Sequence, residues 1–366
     1  MSCISHTILE REKRLPVDRP SIEHFTLGPG EATDIDSLLA DGWSVYGVDI
    51  ERDHALFVWC EGGIDPKDAP FLYADQFQKA ERVAIVSLAD FVRVGKALPL
   101  PDRLGMLYST GRSGSTLASR IFAELPGVIS LSEPDVIIGP VYHRFLRPES
   151  ELIPIYRAGL GFLAAAFGSP KDVLVLKPRS EAIFGIDALS RAAPQAHAAF
   201  LYRDVRGYVA SIHRFVQRVG LDPADIVASP DLDRVWHQVT GATPLDVMQG
   251  RFGLTDDVFF EELSSIFWLL RIEEFQAAQR AGHSIEPVHY DDLNADRLNE
   301  TARLLAACGI DPARASQALA AFERDAHRGG VGANAKKAVD MDETSRARME
   351  TVISRLGIAD LKSDRL

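Results

Sequence analysis

Along the chain, short apolar runs and stretches of helical spacing take turns. Trp43 to Cys60 reads as two strands rich in Val, Tyr, Phe and Trp around a polar turn, Glu51-Arg52-Asp53-His54. Helical patterns are expected over Phe71 to Ala84 and over Ala89 to Leu98. The segment from Lys96 to Gly105 carries Pro99 and Pro101, which break regular structure and favour an extended connector. A boundary is therefore expected near residue 100, with a small α+β lobe over 1–100 and a larger domain over 101–366. Beyond the boundary, strands are expected at Gly105–Ser109, Val173–Leu176, Ala198–Tyr202 and Ile285–His289. Helices are expected at Thr116–Leu125, Ala182–Ala192, Val205–Val219, Ser264–Arg280 and Leu298–Cys308. This alternation predicts an α/β fold, a parallel sheet flanked by helices on both faces. Ligands of such sheets sit beyond the carboxyl ends of the strands.

Composition narrows the class. The chain has 366 residues, 46% hydrophobic and 25% charged, enough for an ordinary core. A net charge of −12 disfavours general binding of nucleic acid or of an anionic membrane, yet permits one anion in a local cationic pocket. The three cysteines, Cys3, Cys60 and Cys308, are far apart and lack metal-binding spacing, as expected of free thiols in the cytoplasm. The first residues lack the long apolar core of a secretory signal. Ala158 to Gly168 is the longest membrane-like stretch and is too short to span a bilayer, so a buried helix is expected there.

The most informative stretch is MLYSTGRSGSTLASRIF, Met106 to Phe122. A short strand runs into Gly111, Arg112, Ser113, Gly114, Ser115 and Thr116, and a helix follows. Glycines allow a sharp turn and close backbone approach. The unpaired N–H groups of the loop and new helix converge on one spot suited to phosphate or sulfate, and Arg112 adds a bidentate cation. This P-loop-type turn is not a Walker A motif, because Gly114 is followed by Ser115 and no lysine. A second signature, FLYRDVRGYVASIHRF (Phe200 to Phe215), places Arg203 at a strand end and Ser211 about two helical turns later, a pair suited to a second phosphate. Together they imply a ligand phosphorylated at both ends.

These residues resemble the family of sulfotransferases that use 3′-phosphoadenosine 5′-phosphosulfate (PAPS). TGRSGSTL is similar to its 5′-phosphosulfate loop, and RDVRGYVAS to its 3′-phosphate motif, with the Arg203-to-Ser211 spacing intact. VHYDDL (Val288 to Leu293) resembles a later strand-to-helix step. HRGGVGAN (His327 to Asn334) resembles the loop that closes over the 3′-phosphate, through Arg328 and with Gly329 where the family has lysine. The likeness covers about residues 104 to 335. The arginine of the loop is similar to the branch of tyrosylprotein and many bacterial sulfotransferases. In that branch an acidic residue follows the first helix, and here Glu133 stands 21 residues after Arg112.

The resemblance implies Glu133 as general base; apart from it, His143 is the runner-up base. It implies Lys177 as the cation that meets the transferred group, and Arg112 as holder of the 5′-phosphosulfate. Arg179 and Glu181 stand close enough in sequence to help or compete. PAPS is then the co-substrate and 3′,5′-adenosine bisphosphate the product, with no metal. The acceptor is expected to be a small molecule or a peptide, not a nucleic acid or a membrane. The N-terminal lobe is expected to cap the acceptor site or to form a homodimer surface. A kinase-type phosphotransferase and a non-catalytic nucleotide-binding module are the alternative readings.

Overall fold

The computed structural model describes residues 2–15, 17–168, 172–218, 220–229, 231–253, 259–323 and 340–358. Its first sheet is built by β1 (Ser2–Arg11), β2 (Phe25–Asp34), β3 (Trp43–Asp49), β4 (His54–Trp59) and β5 (Arg82–Ser87). They pair antiparallel in the order β2-β1-β5-β4-β3. Two helices belong to this lobe, α1 (Leu72–Lys79) and α2 (Leu88–Gly95). The hairpin around Glu51 forms where the sequence predicts it. The helix expected through Ala84 instead stops at Lys79, and Arg82–Ser87 becomes the central strand β5. A buried β-branched run between β1 and β4 satisfies its backbone better as a ladder than as one more helical turn.

The second sheet is wholly parallel. It contains β6 (Leu104–Ser109), β7 (Val128–Ser132), β8 (Val173–Lys177), β9 (His197–Tyr202) and β10 (Ile285–His289), ordered β10-β9-β6-β8-β7. Its helices are α3 (Ser115–Ala123), α4 (Glu149–Phe167), α5 (Ile186–Ala192), α6 (Val205–Arg218), α7 (Pro223–Val227), α8 (Leu232–Thr240), α9 (Pro244–Phe252), α10 (Phe260–Arg280), α11 (Tyr290–Ala295), α12 (Arg297–Ala307), α13 (Ala315–Ala318) and α14 (Glu343–Leu356). Side chains alternate across the sheet, as the strand period of two requires. Leu107, Val175, Leu201 and Val288 face one apolar layer with α3 and α12. Met106, Tyr108, Leu176, Phe200 and Tyr202 face the other, with α4, α5 and α10. The chain is thus a mixed α/β fold: a parallel five-strand sheet flanked by helices, with a small antiparallel N-terminal sheet.

The two sheets share one buried layer. Phe57 of β4 and Phe91 of α2 lie 4.8 and 5.2 Å, ring to ring, from Phe162 of α4. The Ala158–Gly168 stretch is buried only as far as Leu163; Ala165 and Ala166 are exposed at the helix end. Among the described residues, no helix is long and apolar enough to cross a membrane. Strand β6 sits between β8, reached on one side, and β9, on the other. That reversal opens a crevice at the carboxyl ends of these strands.

Candidate functional site

Every residue of β6 is buried, so the strand is anchored up to Ser109 and the chain must turn at once. The turn uses left-handed backbone at Gly111 (φ 75°), Arg112 (φ 51°) and Gly114 (φ 80°). Thr110 N–H and Ser113 Oγ both donate to Leu201 O on β9, at 3.1 and 3.0 Å. The Ser113 hydroxyl is therefore committed to holding the loop. Gly114 caps α3, and a Cβ placed on it would stand 2.3 Å from the Tyr290 ring. Gly114→Ala should cost about 1–3 kcal/mol through its left-handed φ alone, read as a lower denaturation midpoint. A midpoint equal to wild type would exclude that backbone strain.

Arg203 follows β9. Its Nη1 donates to Arg112 O at 3.5 Å, and its guanidinium lies 4.8 Å from the Tyr290 ring centroid. Its backbone is held by Trp268 Nε1, which donates to Arg203 O at 3.0 Å. Arg203 Nε is buried without a hydrogen bond among the described residues; the Asp204 carboxylate stands 4.0 Å away. Asp204 itself accepts from Gly207 N–H at 2.7 Å at the start of α6. Ser211 is buried on the same helix and accepts from Arg112 Nε at 3.2 Å. The two signatures thus meet directly: Ser211 serves the loop arginine, and Arg203 reaches the loop carbonyl. Arg112 also lies 4.7 Å from the Phe215 ring. Burial, followed by the charge of Arg218, lowers the pKa of Arg112 to about 10, which keeps it a cation at neutral pH.

Beside the loop, β7 and β8 end together. Glu133 N–H donates to Lys177 O at 2.6 Å, and Lys177 Nζ lies 2.5 Å from Glu133 Oε1. The Lys177 side chain is 3% exposed, so this lysine does not reach out to water. Its ammonium also lies 5.5 Å from the ring of Phe71, a residue of the N-terminal lobe. Three non-glycine residues have left-handed φ among the described residues: Asp53 in the β3–β4 turn, Arg112 and Glu133. Strain of that kind concentrates where a structure enforces an orientation, and here two of the three are residues that the sequence singles out.

Arg179 and Glu181 line the same cavity as these residues but are held by other partners. Arg179 makes a bidentate pair with Asp135 at 2.7 and 2.5 Å and donates from Nη1 to Val17 O at 2.6 Å. Glu181 pairs with the buried Arg271 at 3.0 Å. Arg328 and Gly329 lie outside the described residues.

Gly111, Arg112, Gly114, Ser115, Thr116, Glu133, Lys177, Arg203 and Ser211 all line one cavity of about 1180 Å³. Its opposite wall is the surprise. Residues 17–21, with Arg14 and Leu15, cross from the N-terminal lobe over the crevice, joined by Phe71 and Tyr73. Lys13 anchors this strap from behind. Its Nζ donates to Asp18 O at 2.9 Å and faces the rings of Tyr46, Tyr73 and Phe77 at 5.6, 5.4 and 4.7 Å. Burial lowers its pKa to about 8, and nearby Arg179 acts in the same direction. Nothing in the local pattern of REKRLP marks these residues as part of a site; the signal lies in where β1 ends.

No protein-family model and no curated protein matches the chain. Among solved structures, it is similar to sulfotransferase STF1 from Mycobacterium tuberculosis H37Rv, at 16% identity over 73% of this chain and 78% of that one, with a TM-score of 0.39. Sulfotransferase STF9 from Mycobacterium avium matches at 12% identity over 69% and 74%, with a TM-score of 0.40. Retinol dehydratase in complex with androsterone and the inactive cofactor PAP matches at 13% identity over 88% and 99%, with a TM-score of 0.34.

Proposed function

We propose that the chain is a sulfotransferase that takes a sulfonyl group from PAPS and passes it to a hydroxyl or amine held in the same cavity. The carrying observation is that two sets of donors stand at the ends of neighbouring strands and line one cavity. One is the Gly111–Thr116 loop with Arg112, and the other is Arg203, whose buried Nε lacks a hydrogen-bond partner among the described residues. An unsatisfied buried donor of this kind costs about 1–3 kcal/mol, more when charged, and a ligand phosphate would satisfy it. The close approach of the Tyr290 ring edge to Gly114 leaves no room for a side chain beneath the loop. These residues fit a ligand with a phosphate at each end.

The loop and Arg112 would hold the 5′ end, and Arg203 the 3′-phosphate. When bound, PAPS supplies an activated sulfur–oxygen bond. Glu133 removes the proton from the acceptor atom. Lys177, already at 2.5 Å from Glu133 Oε1, orients the carboxylate and puts positive charge beside the atom that attacks. A kinase-type reading finds less support, because Ser115 stands where a Walker loop carries lysine.

Calorimetry with 3′,5′-adenosine bisphosphate, ATP and 5′-AMP tests the donor. The bisphosphate should bind tightest, and Arg203→Ala should weaken it by about 1.5–3 kcal/mol, tenfold or more. ATP binding as well as or better than the bisphosphate would bring the kinase reading forward instead.

A further inference from the structure

One stretch of the cavity wall plays no part in holding either phosphate. Arg19, in the strap between β1 and β2, lies with its guanidinium 4.0 Å from the Tyr142 ring centroid. Its hydrogen bond is a long one, 3.4 Å from Nη2 to Gln238 Oε1. Neighbouring cations on this wall are neutralised: Arg14 by Asp231 at 2.8 Å, Arg52 by Asp49 at 2.8 Å, and Arg234 by Asp231 at 3.2 Å. Arg19 has no carboxylate partner among the described residues.

Across the Gln238 amide stands Glu51, from the β3–β4 turn. Its Oε1 is 3.5 Å from Gln238 Nε2 and 3.6 Å from His143 Nε2. His143 is 6% exposed. Its Nδ1–H donates to Gly139 O at 3.0 Å, which makes Nε2 the lone-pair nitrogen of the neutral ring. That nitrogen has no hydrogen-bond partner among the described residues. Arg19, Glu51, Tyr142 and His143 all line the cavity.

Two opposite charges flanking one amide ordinarily close into a direct pair. Here they stand apart, and every link between them lies beyond good hydrogen-bond length. The wall therefore presents one under-used donor pole and one under-used acceptor pole, supplied by the strap, the β3–β4 turn, α8 and the segment that follows Glu133.

We infer that this wall recognises the acceptor, and that it takes a small zwitterion, with carboxylate on Arg19 and ammonium on Glu51 and His143 Nε2. The inference rests on the sulfotransferase reading for which molecule occupies this end of the cavity. The rings of Phe71, Tyr73 and Tyr142 along the same wall suit an acceptor with an aromatic body.

Four phenols separate the poles: L-tyrosine, tyramine, 3-(4-hydroxyphenyl)propionate and 4-ethylphenol. Binding of each is measured by calorimetry with saturating 3′,5′-adenosine bisphosphate, on wild type, Arg19→Gln and Glu51→Gln. L-tyrosine should bind tightest, and loss of either charged group should weaken binding about tenfold or more. Arg19→Gln should erase the advantage of L-tyrosine over tyramine alone. Glu51→Gln should erase its advantage over 3-(4-hydroxyphenyl)propionate alone. A folding defect would weaken all four together, so the crossed pattern belongs to recognition. Equal binding of the four, no binding of L-tyrosine, or uniform weakening in both variants would overturn the inference. Tight bisphosphate binding beside any of these results leaves the donor reading standing. The crossed pattern without bisphosphate binding would do the reverse, keeping the zwitterion site and removing PAPS as donor.

Discussion

Glu133→Gln should lower kcat about 10²- to 10⁴-fold, the range that a positioned general base contributes, and should leave 3′,5′-adenosine bisphosphate binding close to wild type. The expectation follows from how tightly this carboxylate is held. Its backbone N–H is tied to Lys177 O, its φ is 55°, and its Oε1 lies 2.5 Å from Lys177 Nζ. Among the described residues, none of the hydrogen bonds that shape the Gly111–Thr116 loop passes through it: Thr110 and Ser113 fasten the loop to Leu201, and Ser211 fastens Arg112. The amide of Gln keeps an oxygen for Lys177 but accepts no proton, so the loss should fall on turnover and spare donor affinity. Bisphosphate calorimetry and steady-state kinetics on one preparation separate the two. A kcat within about threefold of wild type is too small for any general base and would exclude Glu133 from the role. His143→Asn would then be the variant to examine, since His143 also lines the cavity.

The strands of the parallel sheet that were most legible in the sequence are the well-buried inner ones. Strands β6, β8 and β9 are continuous apolar runs because helices cover both of their faces. The loop after β6 was legible for the same reason, as glycines there follow a strand that cannot continue. Strand β1 was not legible. Ile4 and Leu9 are apolar yet exposed, and Ser5 is buried, so the alternation that betrays a half-buried strand is scrambled. Strand β2 carries Gly28, Pro29 and Gly30, and reads as turn; its hydrogen bonds to β1 make it a strand. β7 is only five residues, two of them serine. Within the candidate site, Arg112 was legible from the glycine loop that carries it, and Lys177 and Arg203 from their positions at strand ends. The wall that faces them was not, because Arg19, Glu51 and His143 meet only when three segments far apart in sequence fold over one crevice. Asp135 was missed as well. Nothing in SEPDV distinguishes it from a solvated carboxylate until Arg179 closes on it.

That pair carries the largest expected effect on stability. Asp135→Ala should cost about 3–5 kcal/mol, the usual result of stripping one partner from a buried ion pair. The Asp135 side chain is 0% exposed, and it meets Arg179 through two hydrogen bonds of 2.7 and 2.5 Å. Without it the guanidinium would remain enclosed against the Tyr73 ring, 4.1 Å from its centroid, with Val17 O as its remaining acceptor among the described residues. Uncompensated charge of this kind is far costlier than the pair was worth. Replacing both partners with apolar groups of similar volume, as in Asp135→Leu with Arg179→Met, should therefore recover most of the loss. Urea denaturation of the wild type, the single variant and the double variant measures both terms. A single-variant loss below about 1 kcal/mol would mean that water reaches Arg179 and screens it as at a surface. The double variant has a second consequence, because Arg179 Nη1 also holds the strap at Val17. Stability should return while the strap loses that anchor. Acceptor discrimination should then stay impaired in a protein that is folded, which sets the role of Arg179 in shaping the cavity apart from its share in the fold.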